Sequence, residues 1–208
     1  MTDLRRLLVA SENPGKAREI AALLEGLPVQ VRSLADFPGV VLPEETGETF
    51  AANAALKAAT VSRATGEWAL ADDSGLVVPA LEGAPGLHSA RVAETDEGRI
   101  AWLLERMADR PAPEREAYFV CVVVLTDPEG KVRGTWEGRV EGRILEAPRG
   151  AGGFGYDPVF FYESAGRSFA EMTREEKAAV SHRGQALRQF RAALSARAFP
   201  QLLEAQGA

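Results

Sequence analysis

The sequence predicts an α/β fold with a mixed β-sheet, because strand-like and helix-like segments alternate along a chain of 208 residues. The chain opens as a strand, a loop and a helix. In the middle, a nearly continuous β-branched and aromatic run at 118–125 is followed by the turn TDPEGK and a second extended run at 132–140. This pattern favours an antiparallel hairpin, so the sheet is expected to combine strand directions.

The first elements follow from the spacing of apolar residues. Leu4 to Ala10 is a short apolar run that predicts the first strand. Pro14 suits the first turn of the helix that follows, and Gly26 suits its end. The segment from about Thr49 to Ala64 is rich in alanine and predicts a second helix. Helical periodicity in the first of these helices comes from Ile20, Leu23, Leu24 and Leu27.

A buried strand is predicted at the apolar run Trp68–Ala71, and the motif ADDSG is expected to end it because serine and glycine favour turns. Asp72 and Asp73 would then lie at the tip of this strand, where the sheet opens to solvent. Adjacent carboxylates repel each other unless a cation offsets their charge, and Mg²⁺ is the natural choice for hard oxygen ligands. Two aspartates that simply cap a turn or begin a helix remain an alternative.

The C-terminal half contributes two helices and another strand. Ile100 to Met107 has helical spacing, and Pro158 to Tyr162 resembles a strand. Thr173 and Glu176 match a capping box that opens a helix. Ser181 can restart that helix, whose buried stripe would be Leu187, Phe190 and Leu194. Without a repeat or a long linker, residues 1–208 are expected to form a single domain.

Composition narrows the class of partner. The net charge is −6, so no overall basic field favours nucleic acid or an anionic membrane. No apolar run approaches the ~20 residues that span a bilayer, and the N-terminal apolar stretch is too short for a secretory signal. The single cysteine, Cys121, cannot form an internal disulfide. We therefore expect a cytoplasmic, soluble and compact protein, whose net charge is still compatible with a small basic pocket for a small anionic ligand.

The loop SENPGK at 11–16 joins the first strand to the first helix. Free amide groups at a helix start, a glycine and Lys16 can together form an anion site. This loop is not a Walker A motif, because Ala10 and Ala17 replace the required glycine and hydroxyl residue. An ordinary capped helix start remains the alternative.

Three further segments carry candidate side chains. Asn53 and Lys57 share one face of the second helix, and they either face solvent or point together into a cleft. The glycine-rich segment 150–158 allows amides to approach a ligand and a ring to stack on a base, although a wide turn with buried aromatics is also possible. Lys177, His182 and Arg183 suit oxygen acceptors, or they are exposed helix charges.

Taken together, five segments resemble the Ham1-like inosine/xanthosine triphosphate pyrophosphatase family, in the same order and over essentially the whole chain. They are SENPGK, EETGETFAANAALKA, ADDSGLVVPALEGAPGLHSAR, GGFGYDPVF and FAEMTREEKAAVSHRGQAL. Ser11 stands where that family usually has threonine, and both residues offer a hydroxyl. The resemblance implies an elongated mixed sheet flanked by helices, with two lobes around a deep nucleotide-binding cleft, in a homodimer.

The resemblance also implies hydrolysis of ITP, dITP and XTP to the monophosphate and pyrophosphate with Mg²⁺, which cleanses the nucleotide pool. It implies that Asp73 is the general base and a metal ligand. Glu44 and Asp72 would add to the metal site, with Glu45 an equally plausible neighbour. The implied substrate-binding residues are Ser11, Glu12, Asn13, Pro14, Gly15, Lys16, Lys57, Ser74, Phe154, Gly155, Tyr156, Asp157, Lys177, His182 and Arg183.

Base selection would follow from the 6-position of the purine. Donors from His182 and Arg183 could satisfy a 6-oxo group, whereas the 6-amino group of adenine would leave them unpaired, at about 1–3 kcal/mol per lost partner. A related pyrophosphatase for modified pyrimidine nucleotides, as in the Maf-like proteins, is a second hypothesis, against which the FGYD and SHRG segments argue. A nucleotide-binding regulator without turnover is a third, and the paired carboxylates of ADDSG argue against it.

Overall fold

The computed structural model describes residues 5–203, so Leu4 of the predicted first strand and the ends of the predicted 1–208 domain lie outside the described residues. The strands are β1 (Arg5–Val9), β2 (Val29–Ser33), β3 (Trp68–Val77), β4 (Glu116–Thr126), β5 (Val132–Ile144), β6 (Phe160–Tyr162) and β7 (Arg167–Ser168). The α-helices are α1 (Pro14–Leu23), α2 (Phe50–Thr65), α3 (Asp96–Arg106), α4 (Arg174–Val180), α5 (His182–Ser195) and α6 (Pro200–Leu203).

The strands form one mixed sheet in the order β2-β1-β3-β4-β5-β6-β7. Strand β1 is parallel to β2 and β3, with Leu7 opposite Val31 on one side and Trp68 on the other. Strand β6 is antiparallel to both β5 and β7. The amide of Asp127 donates to the carbonyl of Lys131 at 3.0 Å and closes the turn between β4 and β5. The predicted mixed sheet with flanking helices is confirmed.

The chain divides into two compact units. The first comprises the described residues of Met1–Asp73, Val122–Glu137 and Ala186–Ala208, and the second comprises Ser74–Cys121 and Gly138–Gln185. In the first unit, α2 packs against β1 and β3 through the buried side chains of Leu8, Ala58, Val61 and Ala69. In the second unit, α3 packs against β4 and β6 through Leu103, Met107, Phe119 and Phe160.

The helix boundaries have local causes. Helix α2 begins after Thr49, whose hydroxyl accepts a hydrogen bond from the amide of Ala52 at 3.1 Å, and it ends at Gly66, which has a φ of +69°. The predicted capping box of Thr173 and Glu176 opens α4 and is confirmed. Helix α5 begins directly after Ser181, as predicted. Its predicted stripe of Leu187, Phe190 and Leu194 is buried.

Strand β3 differs from the prediction, because it does not end at ADDSG but runs on to Val77. Leu76 and Val78 are both fully buried, so apolar burial beyond the glycine keeps the chain extended through the polar motif. The placement of Asp72 and Asp73 at a strand tip open to solvent is therefore wrong: they lie inside the strand, and Asp72 is only 7% exposed.

Strand β6, in contrast, is shorter than the predicted strand from Pro158 to Tyr162. It begins at Phe160, because the amides of Val159 and Phe160 both donate to the carbonyl of Tyr156 and form a turn there. Within residues 5–203, no helix combines the length and the apolar content that a bilayer crossing requires.

Candidate active site

A group of charged side chains, here called the acid–lysine cluster, occupies the first unit; its members are Lys16, Glu45, Lys57, Asp72 and Asp73. Lys57 reaches from α2 and donates to Glu45 Oε1 at 2.6 Å, and its Nζ lies 3.5 Å from Asp73 Oδ1. Lys57 is only 8% exposed. A buried ammonium is tolerated only where it is paired, and here two carboxylates supply the pairing.

Asn53, one helical turn before Lys57, holds the other side of Asp73. This fully buried amide donates from Nδ2 to Asp73 Oδ2 at 3.1 Å and accepts the amide of Gly47 at 2.7 Å on its Oδ1. A Cβ on Gly47 would lie 2.7 Å from that same Oδ1, so the close approach needs a glycine. Both carboxylate oxygens of Asp73 are therefore held, by Lys57 and by Asn53.

The cluster shifts the pKa of two of its members. Burial, reinforced by the charges of Glu45 and Asp72, raises the pKa of Asp73 above its ordinary value, against the opposing effects of Lys57 and Asn53. Burial alone would lower the pKa of Lys57, but Asp73, Glu45 and Asp72 together raise it. Lys57 thus stays charged, and Asp73 is a stronger base than an exposed aspartate.

Lys16 connects the start of α1 to the same cluster. Its Nζ donates to both oxygens of Asp72, at 2.8 and 2.9 Å. The expectation of free amides at this helix start is wrong for three residues: the amide of Asn13 donates to Ser11 Oγ, and those of Gly15 and Lys16 donate to the side chain and carbonyl of Asn13. The loop caps its own helix with these amides, so an anion site there would depend on the charge of Lys16.

The cluster has the donor chemistry of a magnesium site. Within residues 5–203, no three acidic, histidine or cysteine side chains converge in a ready-made metal site. Mg²⁺, however, is commonly held by one or two carboxylates together with waters and substrate phosphates. Glu45 and Asp73 already converge on one cation, the ammonium of Lys57, so their hard oxygens fit this ion. Glu44 is exposed, and the structure brings Glu45 into the cluster instead.

A pocket lies within the second unit, and it gathers the remaining sequence-predicted residues. Those that line it are Ser74, Phe154, Gly155, Tyr156, Asp157, Lys177, His182 and Arg183. Ser74 follows Asp73 directly along β3. The pocket wall also includes Ser89, Arg99 and Phe119, which the sequence analysis did not select.

Two aromatic surfaces face this pocket. The ring of Phe154 is 62% exposed, and the ammonium of Lys177 lies 4.3 Å from its centroid. His182, the first residue of α5, stacks on Phe119 with ring centroids 4.8 Å apart and planes inclined by 12°. Arg183 Nη2 lies 3.4 Å from Ser74 Oγ. An exposed aromatic face beside polar donors suits a flat heterocycle with oxygen acceptors.

Two other pocket residues are buried and already bonded. Asp157 accepts the amide of Phe154 at 2.9 Å and forms an ion pair with Lys177. The hydroxyl of Tyr156 donates to the carbonyl of Ser89 at 2.9 Å. Burial raises the pKa of Tyr156 to about 12, so its phenol stays neutral. These residues shape the pocket wall from within the fold.

The structure separates the sequence-predicted residues into groups. The acid–lysine cluster contains Lys16, Lys57, Asp72 and Asp73, whereas Glu12 and Glu44 are exposed and Pro14 begins α1. Phe119 was missed because it lies in a run that resembles a buried strand, and Arg99 because it resembles an exposed helix residue. No local feature of the sequence distinguishes Phe119 from other buried strand residues or Arg99 from other exposed helix residues.

Comparison with known proteins gives a consistent family match. Residues 7–193 match the model of the Ham1 family. A protein of Thermus thermophilus named dITP/XTP pyrophosphatase is 54% identical over 185 residues, which cover 88% of this chain and 88% of that protein. A protein of the same name from Thermosynechococcus vestitus is 50% identical over 191 residues, covering 92% of this chain and 96% of that protein.

Solved structures of similar proteins agree with this family match. A HAM1 protein from Coxiella burnetii is 41% identical, with a TM-score of 0.87, over 92% of this chain and 99% of that chain. A nucleoside-triphosphatase, also named dITP/XTP pyrophosphatase, from Mycobacterium abscessus is 44% identical, with a TM-score of 0.76, over 89% of this chain and 98% of that chain.

Proposed function

Because the chain belongs to the Ham1 family, we propose that it hydrolyses ITP, dITP and XTP to the nucleoside monophosphate and pyrophosphate. The observation that carries the proposal is the acid–lysine cluster, in which Lys57 and Asn53 hold both oxygens of Asp73. Relatives named dITP/XTP pyrophosphatase, 50% and 54% identical over most of the chain, support this substrate class.

In the proposed reaction, Asp73 orients a water molecule and takes its proton. The water oxygen then bonds to the α-phosphorus, and the bond from that phosphorus to the oxygen bridging it to the β-phosphorus breaks. Pyrophosphate leaves with the electron pair of the broken bond. The raised pKa of Asp73 favours this role, because a stronger base accepts the proton more readily.

The lysines of the cluster would offset the negative charge of the triphosphate, and its carboxylates would hold a bound cation that does the same. Lys16 and Lys57 would stabilise the phosphate oxygens, because each is an ammonium group held in the cluster by an ion pair, to Asp72 and to Glu45. We propose Glu45 and Asp73, rather than the exposed Glu44, as the residues that would hold Mg²⁺, with Asp72 close by. When bound, Mg²⁺ neutralises charge on the triphosphate and on the departing pyrophosphate.

The pocket of the second unit would select the base. Phe154 presents a ring face for stacking, and His182 and Arg183 would donate to the 6-oxo group of hypoxanthine or xanthine. Adenine carries a donor at that position, and each buried donor that it leaves unpaired costs about 1–3 kcal/mol.

Cytoplasmic location and homodimer formation remain predictions from the sequence, and light scattering would check homodimer formation.

The first test is pyrophosphate release, with Mg²⁺, from ITP, XTP, dITP, GTP, ATP and a modified pyrimidine triphosphate. We expect strong turnover of the first three and poor turnover of ATP. GTP shares the 6-oxo group, so its expected poor turnover must come from contacts at its 2-amino group. Asp73→Asn should lower kcat by a factor of about 10²–10⁴, the range for a general base. The matched control is Asp109→Asn, which changes an exposed aspartate of the second unit in the same way.

Other outcomes would contradict the proposal. Turnover of the modified pyrimidine nucleotide alone would change the substrate class, and tight ITP binding without pyrophosphate release would indicate a regulator. Near-normal turnover by folded Asp73→Asn would exclude Asp73 as the base.

Removal of Mg²⁺ by a chelator should abolish turnover and leave the protein folded.

A further inference from the structure

Asp96, in the first turn of α3, contacts Arg99 of the same helix and Gly155 of the glycine-rich segment. Its Oδ1 accepts a hydrogen bond from Arg99 Nη1 at 2.7 Å, and its Oδ2 accepts the backbone amide of Gly155 at 2.6 Å. Both bonds involve an ionised carboxylate, and such charge-assisted bonds are about twice as strong as neutral ones. Asp96 therefore links α3 firmly to the glycine-rich segment that carries Phe154.

Arg99 extends this link to the segment 90–93. Its Nε donates to the carbonyl of Ala93 at 3.1 Å, and its Nη2 donates to the carbonyl of Ala90 at 2.7 Å. Ala90, Arg99 and Gly155 all line the pocket. One ion pair thus holds two separate stretches of the pocket wall.

The bond from Asp96 to Gly155 also determines how Phe154 is presented. The amides of Phe154 and Gly155 are consecutive, and each donates to a different carboxylate, the first to Asp157 and the second to Asp96. Gly155 has a φ of +60°, a conformation that favours glycine. A largely exposed ring stacks on a base with little entropic cost only if its backbone is already fixed, and these two bonds fix it.

We propose that Asp96 is a positioning residue for the nucleoside base: through Gly155 and Arg99 it orients Phe154 and the segment 90–93, of which Ala90 lines the pocket. It therefore controls the affinity for the base and leaves the chemistry at phosphorus unchanged. The identity of the base rests on the proposed function, whereas the positioning role rests on the contacts of Asp96 alone.

The test compares Asp96→Ala and Asp96→Asn with the control Glu97→Ala, which removes an exposed carboxylate from the same helical turn. Calorimetry measures the affinity for inosine monophosphate, and pyrophosphate release measures the KM and kcat for ITP. The affinity for tripolyphosphate is measured from its competitive inhibition of ITP hydrolysis. Asp96→Ala should weaken inosine monophosphate binding about tenfold and raise KM similarly, with kcat within about twofold. Tripolyphosphate inhibition should not change.

Asp96→Asn should recover part of the affinity, because its amide oxygen can still accept the Gly155 amide. The proposal is overturned if Asp96→Ala lowers kcat at constant KM, weakens tripolyphosphate as much as inosine monophosphate, or matches Glu97→Ala. A wild-type protein that binds inosine monophosphate but releases no pyrophosphate would contradict the proposed function alone. In that case, unchanged binding in Asp96→Ala would overturn the positioning role separately.

Discussion

Tyr156 illustrates, at the scale of single residues, how a polar group stabilises the pocket wall. Its ring is buried, and its hydroxyl donates to the carbonyl of Ser89. The hydroxyl of Ser89 in turn accepts the amide of Leu76 at 2.9 Å and donates to the carbonyl of Gly86 at 2.6 Å. A short chain of hydrogen bonds therefore connects β3 to the segment that carries Phe154.

The raised pKa of Tyr156 makes this contribution depend on pH. The pKa of the Tyr156 phenol is about 12 in the folded protein, whereas its ordinary value is 10.0. As pH rises, the unfolded chain therefore loses this proton at a lower pH than the folded protein does. The stabilisation is fully present below the ordinary value and is lost as pH rises through the folded value. At about pH 8, Tyr156→Phe should reduce the free energy of unfolding by about 1–2 kcal/mol, because a buried carbonyl loses its donor.

At about pH 11, in contrast, the difference between wild type and Tyr156→Phe should shrink, since only the wild type has a phenol to ionise on unfolding. Urea titrations at the two pH values measure this difference in the free energy of unfolding. A difference that is the same at both would show that burial does not raise this pKa.

Helix α4 shows, at the scale of one element, how a cap locates a functional side chain. The helix has only 7 residues and carries Lys177, and helices of this length are unstable in isolation. Thr173 Oγ1 accepts the amide of Glu176 at 3.1 Å, and the Glu176 carboxylate accepts the amide of Thr173 at 2.8 Å. The bond to the Thr173 amide is the main cause of the lowered pKa of Glu176.

Removal of this cap should destabilise the second unit. Thr173→Ala is expected to reduce the free energy of unfolding by about 1 kcal/mol, because the amide of Glu176 loses its acceptor. Thr173→Ser keeps the hydroxyl and serves as the control, with an expected change of a few tenths of a kcal/mol. Equal losses in the two variants, measured by urea unfolding, would mean that the threonine methyl group matters and the cap does not.

For the whole molecule, the notable feature is that its two compact units share elements. Strands β3, β4 and β5 and helix α5 each begin in one unit and end in the other. Unfolding of one unit alone would therefore require these four elements to stay ordered over only part of their length. We therefore expect one cooperative unfolding transition despite the division into units.

The three tryptophans allow this expectation to be checked. Trp68 and Trp136 lie in the first unit and Trp102 in the second. Fluorescence of Trp102→Phe would report on the first unit, and fluorescence of the double variant Trp68→Phe, Trp136→Phe on the second. Each variant's fluorescence midpoint in urea should match its far-UV circular dichroism midpoint. Separate midpoints would show that the units unfold independently.

Much of the fold follows from local signals that the sequence alone contains. Apolar periodicity predicts α1 and α3, the TDPEGK turn predicts the pairing of β4 with β5, and Thr173 and Glu176 predict the start of α4. Each of these depends on residues within a few positions of one another, where backbone geometry and spacing decide the outcome. Family membership is equally a property of the sequence, carried by five motifs in order.

The tertiary structure decided what depends on residues far apart in the chain. Burial of Leu76 and Val78 extends β3 through ADDSG, Lys57 bonds to Glu45, and Asn53 holds Asp73 from 20 residues away. Asp96 and Gly155 meet across 59 residues. The spacing of residues along the sequence cannot encode such contacts, because it is the packing of the sheet and its helices that brings these side chains together. Their charges and hydrogen bonds then determine the site.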